Sequence, residues 1–330
     1  QWQLRDGGLY VSRIGFMGME DMGGGWRAGF VLESQSNSDT GTGVATNSSN
    51  QPSGVTSGAG LNWIRKSTVS LYTPHGEIRA GRDYSTTFVP TTYFDPFFSA
   101  GVGSAAGLQA FYTPTLPLPT LVRVSNMAGF FIPSHWFPGV FAYGQLAPAE
   151  GSGARYEGLG AGYRGEKLLM TAAVGKTKNP LGGTPGLSPA TVSADNTLSV
   201  FSFGASYDFS GFRLMGFYHA QSLAAFGTTA TNTETDHEIA DALIGFSWAI
   251  DPHVLKFSYM VRNDKGRADN DARMLAAGYA YNLSRRTALY ANFAHFNNDN
   301  TASYNFLSSG FLPPPGQDGR GIQAGLSHNF

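Results

Sequence analysis

In the stretch VFSFGASYDFS, Phe201, Phe203, Ala205, Tyr207 and Phe209 share one parity, and Ser202, Gly204, Ser206 and Asp208 share the other. The same two-residue period recurs along the chain. Leu255, Phe257, Tyr259 and Val261 alternate with Lys256, Ser258, Met260 and Arg262, while Phe212, Leu214, Gly216 and Tyr218 alternate with Arg213, Met215, Phe217 and His219. Side chains of a strand alternate between two faces, so this period predicts half-apolar strands. Fifteen such segments are predicted: 8–21, 26–34, 61–73, 77–85, 119–131, 139–148, 155–165, 167–177, 197–209, 212–222, 238–250, 253–263, 272–284, 287–297 and 320–330. Each runs to about ten residues, the length a tilted strand needs to cross a bilayer.

The connections alternate as well. Short turns fall at 22–26, 73–77, 164–167, 208–212, 250–253 and 283–286; long polar segments fall at 34–60, 178–197, 222–237 and 298–319. Short turns at one end and long loops at the other describe an outer-membrane barrel. In lipid every backbone donor and acceptor must be paired within the protein, which a closed barrel achieves without an edge. The expected fold class is all-β: a transmembrane antiparallel barrel forming one domain over residues 1–330. Bacterial single-chain barrels have an even number of strands. One further strand, preceding Gln1, is therefore expected to pair with 320–330 and bring the count to sixteen.

Composition sharpens this picture. Charged residues are 14% of the chain, against about 25% in ordinary soluble domains. Aromatics are 13%, yet the mean hydropathy is slightly polar at -0.16. A soluble β-sandwich would have strands about half as long. No apolar run approaches the roughly 18 residues of a transmembrane helix, and no signal peptide is recognisable at Gln1. The net charge of -1 gives no global field that points to nucleic acid. The absence of Cys excludes disulfides, thiolate metal sites and a thiol nucleophile.

Four segments carry a family resemblance. SRIGFMGMEDMGGGWRAGFVLES at 12–34 resembles the second and third strands of Gram-negative general porins, most closely the beta-proteobacterial porins of Burkholderiales and Neisseria type. GRDYS at 81–85 followed by FDPF at 94–97 resembles the end of that family's fifth strand and its inward-folded third loop. VRVSNMAGF at 122–130 resembles the next strand, and GLSHNF resembles the terminal assembly signal that ends on Phe330. The resemblance implies sixteen strands, a homotrimer in outer-membrane lipid and lipopolysaccharide, and delivery by the barrel-assembly machinery. It also implies passive diffusion of small hydrophilic solutes, with a long third loop folded into the lumen and an arginine ladder facing it. Arg13, Arg82 and Arg123 match the ladder positions, whereas Met17 stands where relatives often carry another basic residue.

A pore selects by diameter, lining charge and hydrogen-bonding groups. Between Tyr84 and Thr120 the only ionisable acid or base is Asp95. Three arginines facing a loop with so little acid make the constriction net positive, which predicts a modest anion preference. Tyr84, Tyr93, Phe94 and Phe97 are expected beside them, with Phe88, Phe98, Phe111 and Tyr112 nearby; alternatively these rings only pack the loop against the wall. Parity alone places Arg82 on the outward face with Ile78 and Ala80, and a bulge at Gly81 would turn it inward. Arg123 stands opposite Val122 and Val124, as a pore-facing residue should. Arg213, His219, Lys256 and Arg262 fall on inward faces as further lumen lining.

Enzymatic chemistry has little footing: there is no HExxH and no GxSxG elbow. NDKGRADND at 263–271 offers oxygen ligands, with Asp269 and Asp271 as weak calcium candidates, but lacks EF-hand spacing. No cofactor is expected. Two other readings compete with a general diffusion channel for small anionic or polar solutes. One is a channel selective for aromatic or organic acids; the other is an adhesin or receptor acting through its long loops.

Overall fold

The computed structural model describes residues 2–44, 49–51, 60–109, 118–151, 153–180, 196–224, 236–266, 268–306 and 313–330. They form one antiparallel sheet of sixteen strands. In chain order these are β1 (Arg13–Gly23), β2 (Trp26–Asn37), the two-residue β3 (Thr42–Gly43), β4 (Lys66–Thr73), β5 (Gly76–Tyr84), β6 (Arg123–Phe131), β7 (Val140–Ala147), β8 (Arg155–Arg164), β9 (Leu168–Lys178), β10 (Thr197–Asp208), β11 (Phe212–Ala224), β12 (Asp236–Ile250), β13 (His253–Asp264), β14 (Ala272–Asn282), β15 (Thr287–Asn298) and β16 (Gly319–His328). Two short helices, α1 (Phe88–Tyr93) and α2 (Ala106–Gln109), lie between β5 and β6. Each long strand pairs with its sequence neighbour, and β3 pairs only with β2. The fifteen long strands are the fifteen segments that the two-residue period picks out.

The loop after β5 shows that the sheet curls. Its Thr86 lies against Gly158 of β8, Phe94 against Gly204 of β10, Pro96 against Gly245 of β12 and Phe97 against Gly278 of β14. The Val102 amide donates to Gln323 Oε1 of β16 at 3.2 Å. One short segment touches strands this far apart only if the sheet wraps around it. Outward residues such as Phe201, Phe203, Leu214, Ile244 and Leu289 are exposed, while their alternates Ser202, Met215, Leu243 and Ala288 are buried. The apolar faces therefore point outward, the reverse of a soluble sandwich. Exposed Trp26, Tyr163, Tyr207, Trp248 and Tyr281 gather near the short-turn end, as an interfacial aromatic girdle does.

Several boundaries move: β4 begins at Lys66 rather than residue 61, β6 at Arg123 rather than 119, and β2 runs on to Asn37 rather than 34; the contacts at the two ends of the sheet show why those differ. The first strand begins at Arg13 rather than residue 8, because the preceding segment is held on the inner side. Gly7 takes φ 78°, Asn292 Nδ2 donates to the Gly8 carbonyl at 2.9 Å, and Leu9 packs with Ala280, Ala288 and Tyr290. The last strand stops at His328, although the Asn329 amide still donates to the Arg286 carbonyl at 2.9 Å. Phe330 is fully exposed, with only an edge contact to the His328 ring at 5.1 Å. β16 pairs with β15, and the second neighbour expected for it is not among the described residues.

Candidate functional site: the charged wall and the third loop

The inner faces of β1, β2, β4, β5 and β6 carry a continuous chain of charged groups. Arg13 Nε lies 3.7 Å from Glu33, and Glu33 pairs with Arg65 Nε at 2.5 Å. Arg65 Nη2 donates to the Tyr84 hydroxyl at 3.1 Å, and the Arg123 guanidinium lies 4.8 Å over the Tyr84 ring. Arg123 Nε also donates to the Arg65 carbonyl at 2.9 Å. A second branch runs down β5, where Asp83 accepts from Lys66 at 2.9 Å and from Arg79 at 2.6 Å. Arg79 also pairs with Glu77 at 2.7 Å and stacks over Phe131 at 4.3 Å. With Arg82, these groups comprise six cations against three carboxylates, so the wall holds a surplus of positive charge.

Cross-strand register explains the arrangement. Arg13, Gly15 and Met17 pair with Gln35, Glu33 and Val31; Glu33 pairs in turn with Lys66. Met17 is 81% exposed on the same face as Arg13. The register between β5 and β6 slips between Gly81 and Asp83. Gly81 sits at φ 125°, and a Cβ there would meet the Ser67 carbonyl oxygen at 2.0 Å. The irregularity expected at Gly81 is therefore present, but the one extra residue is on β6, where Ser125 and Asn126 stand opposite Arg82 alone and Asn126 takes φ 57°. Arg82 is held by Ser125 Oγ at 2.6 Å, inside that irregular step, and by the Ile64 carbonyl at 2.7 Å. The slip also overturns one inference from alternation. Val124, expected on the lipid face, is fully buried with Met127, Ala147 and Tyr156.

The third loop is built around its single acid. Asp95 accepts from the Phe97 amide at 2.9 Å, the Ser99 amide at 3.1 Å and the Ala105 amide at 3.0 Å. Burial pushes its carboxyl up to about 6, the amides holding it part of the way back, with the positive Lys256 on β13 adding a smaller pull. The carboxylate is thus spent inside the loop and does not offset the arginine wall.

The rings divide by exposure. Phe94 and Phe97 are buried, whereas Tyr93 is 44% and Phe98 39% exposed. Phe94 packs with Met215, Phe217, Met260, Met274 and Phe296, and Phe97 with Ala276 and Ala294, so the loop seals against β11 to β15. Tyr84 touches Phe88 at 5.2 Å. Phe111 and Tyr112 lie outside the described residues.

The remaining inward residues lie mostly beneath this cover. Lys256 Nζ is 5.8 and 5.6 Å from the Phe97 and Phe98 rings. The Arg262 side chain, wholly buried, bonds both Asp241 oxygens at 2.7 and 2.8 Å and stacks on Tyr304 at 4.9 Å. His219 is buried against Ser202 Oγ at 2.7 Å. Arg213 stays half-buried, with two bonds to Ser206 Oγ. Among the described residues, no group of three or more acidic or histidine side chains could hold a metal; Asp271 is engaged by the Asp264 amide at 2.8 Å. Sequence reasoning missed Glu33, Arg65, Lys66, Glu77, Arg79 and Asp83. Alternation puts several of these on the inward face, but only register brings them together.

Comparison with known proteins agrees with this geometry. A family model described as Gram-negative porin matches residues 3–301. The chain is 28% identical over 338 residues to outer membrane porin protein 32 of Delftia acidovorans, covering 100% of this chain and 88% of that protein. A solved structure described as an anion-selective porin from Comamonas acidovorans superimposes with TM-score 0.79 at 27% identity, over 98% of this chain and 90% of that one. OmpT of Vibrio cholerae in its trimer form has the same fold, with TM-score 0.65 at 14% identity, over 96% and 91% of the two chains.

Proposed function

This chain belongs to the Gram-negative porin family, outer-membrane channels rather than enzymes, and we propose that it forms a water-filled diffusion channel that prefers anions because of its arginine-rich wall. The observation that carries this reading is the surplus of cations along β1 to β6, facing a loop whose only acid is locked into its own amides. Arg stays charged at any working pH and presents a fork suited to carboxylates and phosphates. A cleft lined by one sign of charge raises the local concentration of counter-ions. The carboxylates Glu33, Glu77 and Asp83 orient the cations and hold them apart, so the surplus is spread along the passage and does not form one tight anion trap. That suits passage better than retention.

A homotrimeric assembly fits the same reading, as in the trimer form of Vibrio cholerae OmpT. Reconstituted protein in a planar bilayer tests both points. A salt gradient should give a reversal potential of the sign set by anion flow, with conductance closing in steps of three. A potential at the cation limit would refute the charge argument. Arg123→Ala should move the reversal potential towards cations by a small but measurable amount. It removes one unit charge and the contact to Tyr84. An unchanged potential would mean that this guanidinium does not act on the passing ion.

A further inference from the structure

A patch of aromatic rings lies on the inner wall at the short-turn end, beyond the arginines. Phe131 ends β6, and Phe141 and Tyr143 stand near the start of β7. Three glycines let these rings lie against the wall. A Cβ at Gly129 would meet the Phe131 ring, one at Gly160 the Tyr143 ring and one at Gly162 the Phe141 ring. The rings are nearly parallel. Phe131 and Tyr143 are tilted by 15° with centroids 5.5 Å apart, and Phe141 and Tyr143 by 12° at 6.5 Å. Tyr143 is covered by the start of the third loop, its hydroxyl donating to the Thr86 carbonyl at 3.4 Å. Phe131 and Phe141, on either side of it, are only half-buried. The polar groups beside them differ from the rest of the wall. Glu77 is the cross-strand partner of Phe131 and accepts from Ser70 Oγ at 2.7 Å. Arg79 pairs with Glu77 and Asp83 and stacks on Phe131 at 4.3 Å. Here Lys66 and Arg79 balance Glu77 and Asp83, so the surplus positive charge lies further up, with Arg13, Arg65, Arg82 and Arg123. This lower branch is neutral, yet rich in donors and acceptors.

We propose that Phe131 and Phe141, with Glu77 and Arg79 beside them, form a subsite for neutral pyranose sugars on their way through the channel. The assignment rests on the porin reading, which makes this wall the side of a water-filled passage. Two arguments single out this ligand. Carboxylates only accept hydrogen bonds and guanidinium groups only donate them, so a solute that bonds to both must carry groups that do both. A sugar hydroxyl does so; an ionised carboxylate or an ammonium group does not. With the charges balanced, no field draws either ion here in preference. The rings supply the second argument. The face of an aromatic ring is negative and attracts positive edges. A pyranose offers a face of C–H groups, weakly positive and poorly matched to a wall of polar groups alone. The sugar thus lies with that face on Phe131 or Phe141 and its hydroxyl edge towards Glu77 and Arg79. An apolar floor with a few fixed polar groups is the usual make-up of a small-molecule site.

The test records chloride current through the full chain in a planar bilayer, with maltotriose, a polyethylene glycol of matching size and benzoate as probes. Maltotriose should block the current in a saturable way, and the polymer should not. Phe141→Leu keeps apolar bulk over Gly162 but removes the flat face. It should raise the half-blocking concentration of maltotriose about fivefold, the size of one ring contact. Phe141→Trp enlarges the face and should lower that concentration about twofold, so the test stands on this variant even if the Leu variant fails to fold. An unaltered sugar-free conductance shows that each variant folds. Equal block by the polymer would mean simple crowding of the bore. A half-blocking concentration indifferent to both substitutions would leave the rings as wall packing. Block by benzoate with the same dependence on residue 141 would make this a site for aromatic acids. Each of these results overturns the proposal, as does the absence of any block by maltotriose. The porin reading is judged separately, by the sugar-free current and its reversal potential.

Discussion

Replacing Arg13 with Glu should lower the ratio of anion to cation permeability by about threefold. Arg13 is the most open member of the charged chain, with half of its side chain exposed. The substitution changes the local charge by two units. At about 6–8 Å in water, two unit charges alter the energy of a passing ion by roughly 1 kcal/mol, less after salt screening. A factor of about three in permeability ratio follows at moderate ionic strength, fading at high salt. The new carboxylate also faces Glu33, which then turns wholly to Arg65. Met17 on the same face has no charge to compensate. Reversal potentials at several salt concentrations read the effect directly. No shift at low salt would mean that the current runs elsewhere than along β1.

The second large effect is expected at Asp95. Asp95→Asn keeps the size but replaces one acceptor oxygen with an N–H donor, set among three backbone donors. A buried donor left unpaired costs about 1–3 kcal/mol, and the three amides cannot all be satisfied by one oxygen. The loop between α1 and α2 should loosen from the far wall, freeing Phe97 and Phe98 from Lys256. Conductance should become larger and noisier, and proteolysis within the loop faster, while the barrel itself stays folded. A quiet channel with unaltered conductance would remove Asp95 from its place as organiser of the loop.

The acid also sets a pH dependence. Its folded value of about 6 lies above the ordinary carboxyl value of 3.8. The native loop therefore binds a proton that the loosened loop does not bind between those values. Loop stability falls as pH rises from about 4 to 6 and is flat above that. Titrating open-channel noise across this window, with Asp95→Asn as the insensitive control, measures it.

The strands were legible because lipid outside and water inside impose a two-residue period on every strand that spans the membrane. Phe201, Ser202, Phe203 and Gly204 show this as clearly in sequence as in the fold. The period fails where the backbone does: Val124 changes sides because an irregular step at Ser125 and Asn126 interrupts β6. The start of β1 was misplaced for a related reason. Leu9 and Val11 carry the strand parity, but Leu9 spends its apolar surface on Tyr290 rather than on lipid. The matched arginines came from motif resemblance, whereas Glu33 meeting Arg65, or Asp83 joining Lys66 to Arg79, depends on register, which no local pattern encodes. The destination of Phe94 was equally hidden. Its fit over Gly204 is written in two places more than a hundred residues apart.

The packing of the third loop against β11 to β15 makes the passage lopsided. A solute moves between a bank of paired, ionised side chains and a loop whose Phe94 and Phe97 rings are turned away from it, into the methionines and phenylalanines of the far wall. Substitutions on the first bank retune which ions pass, leaving the second, which sets the width, undisturbed. Permeability and aperture are thereby separate inheritances, open to change one at a time.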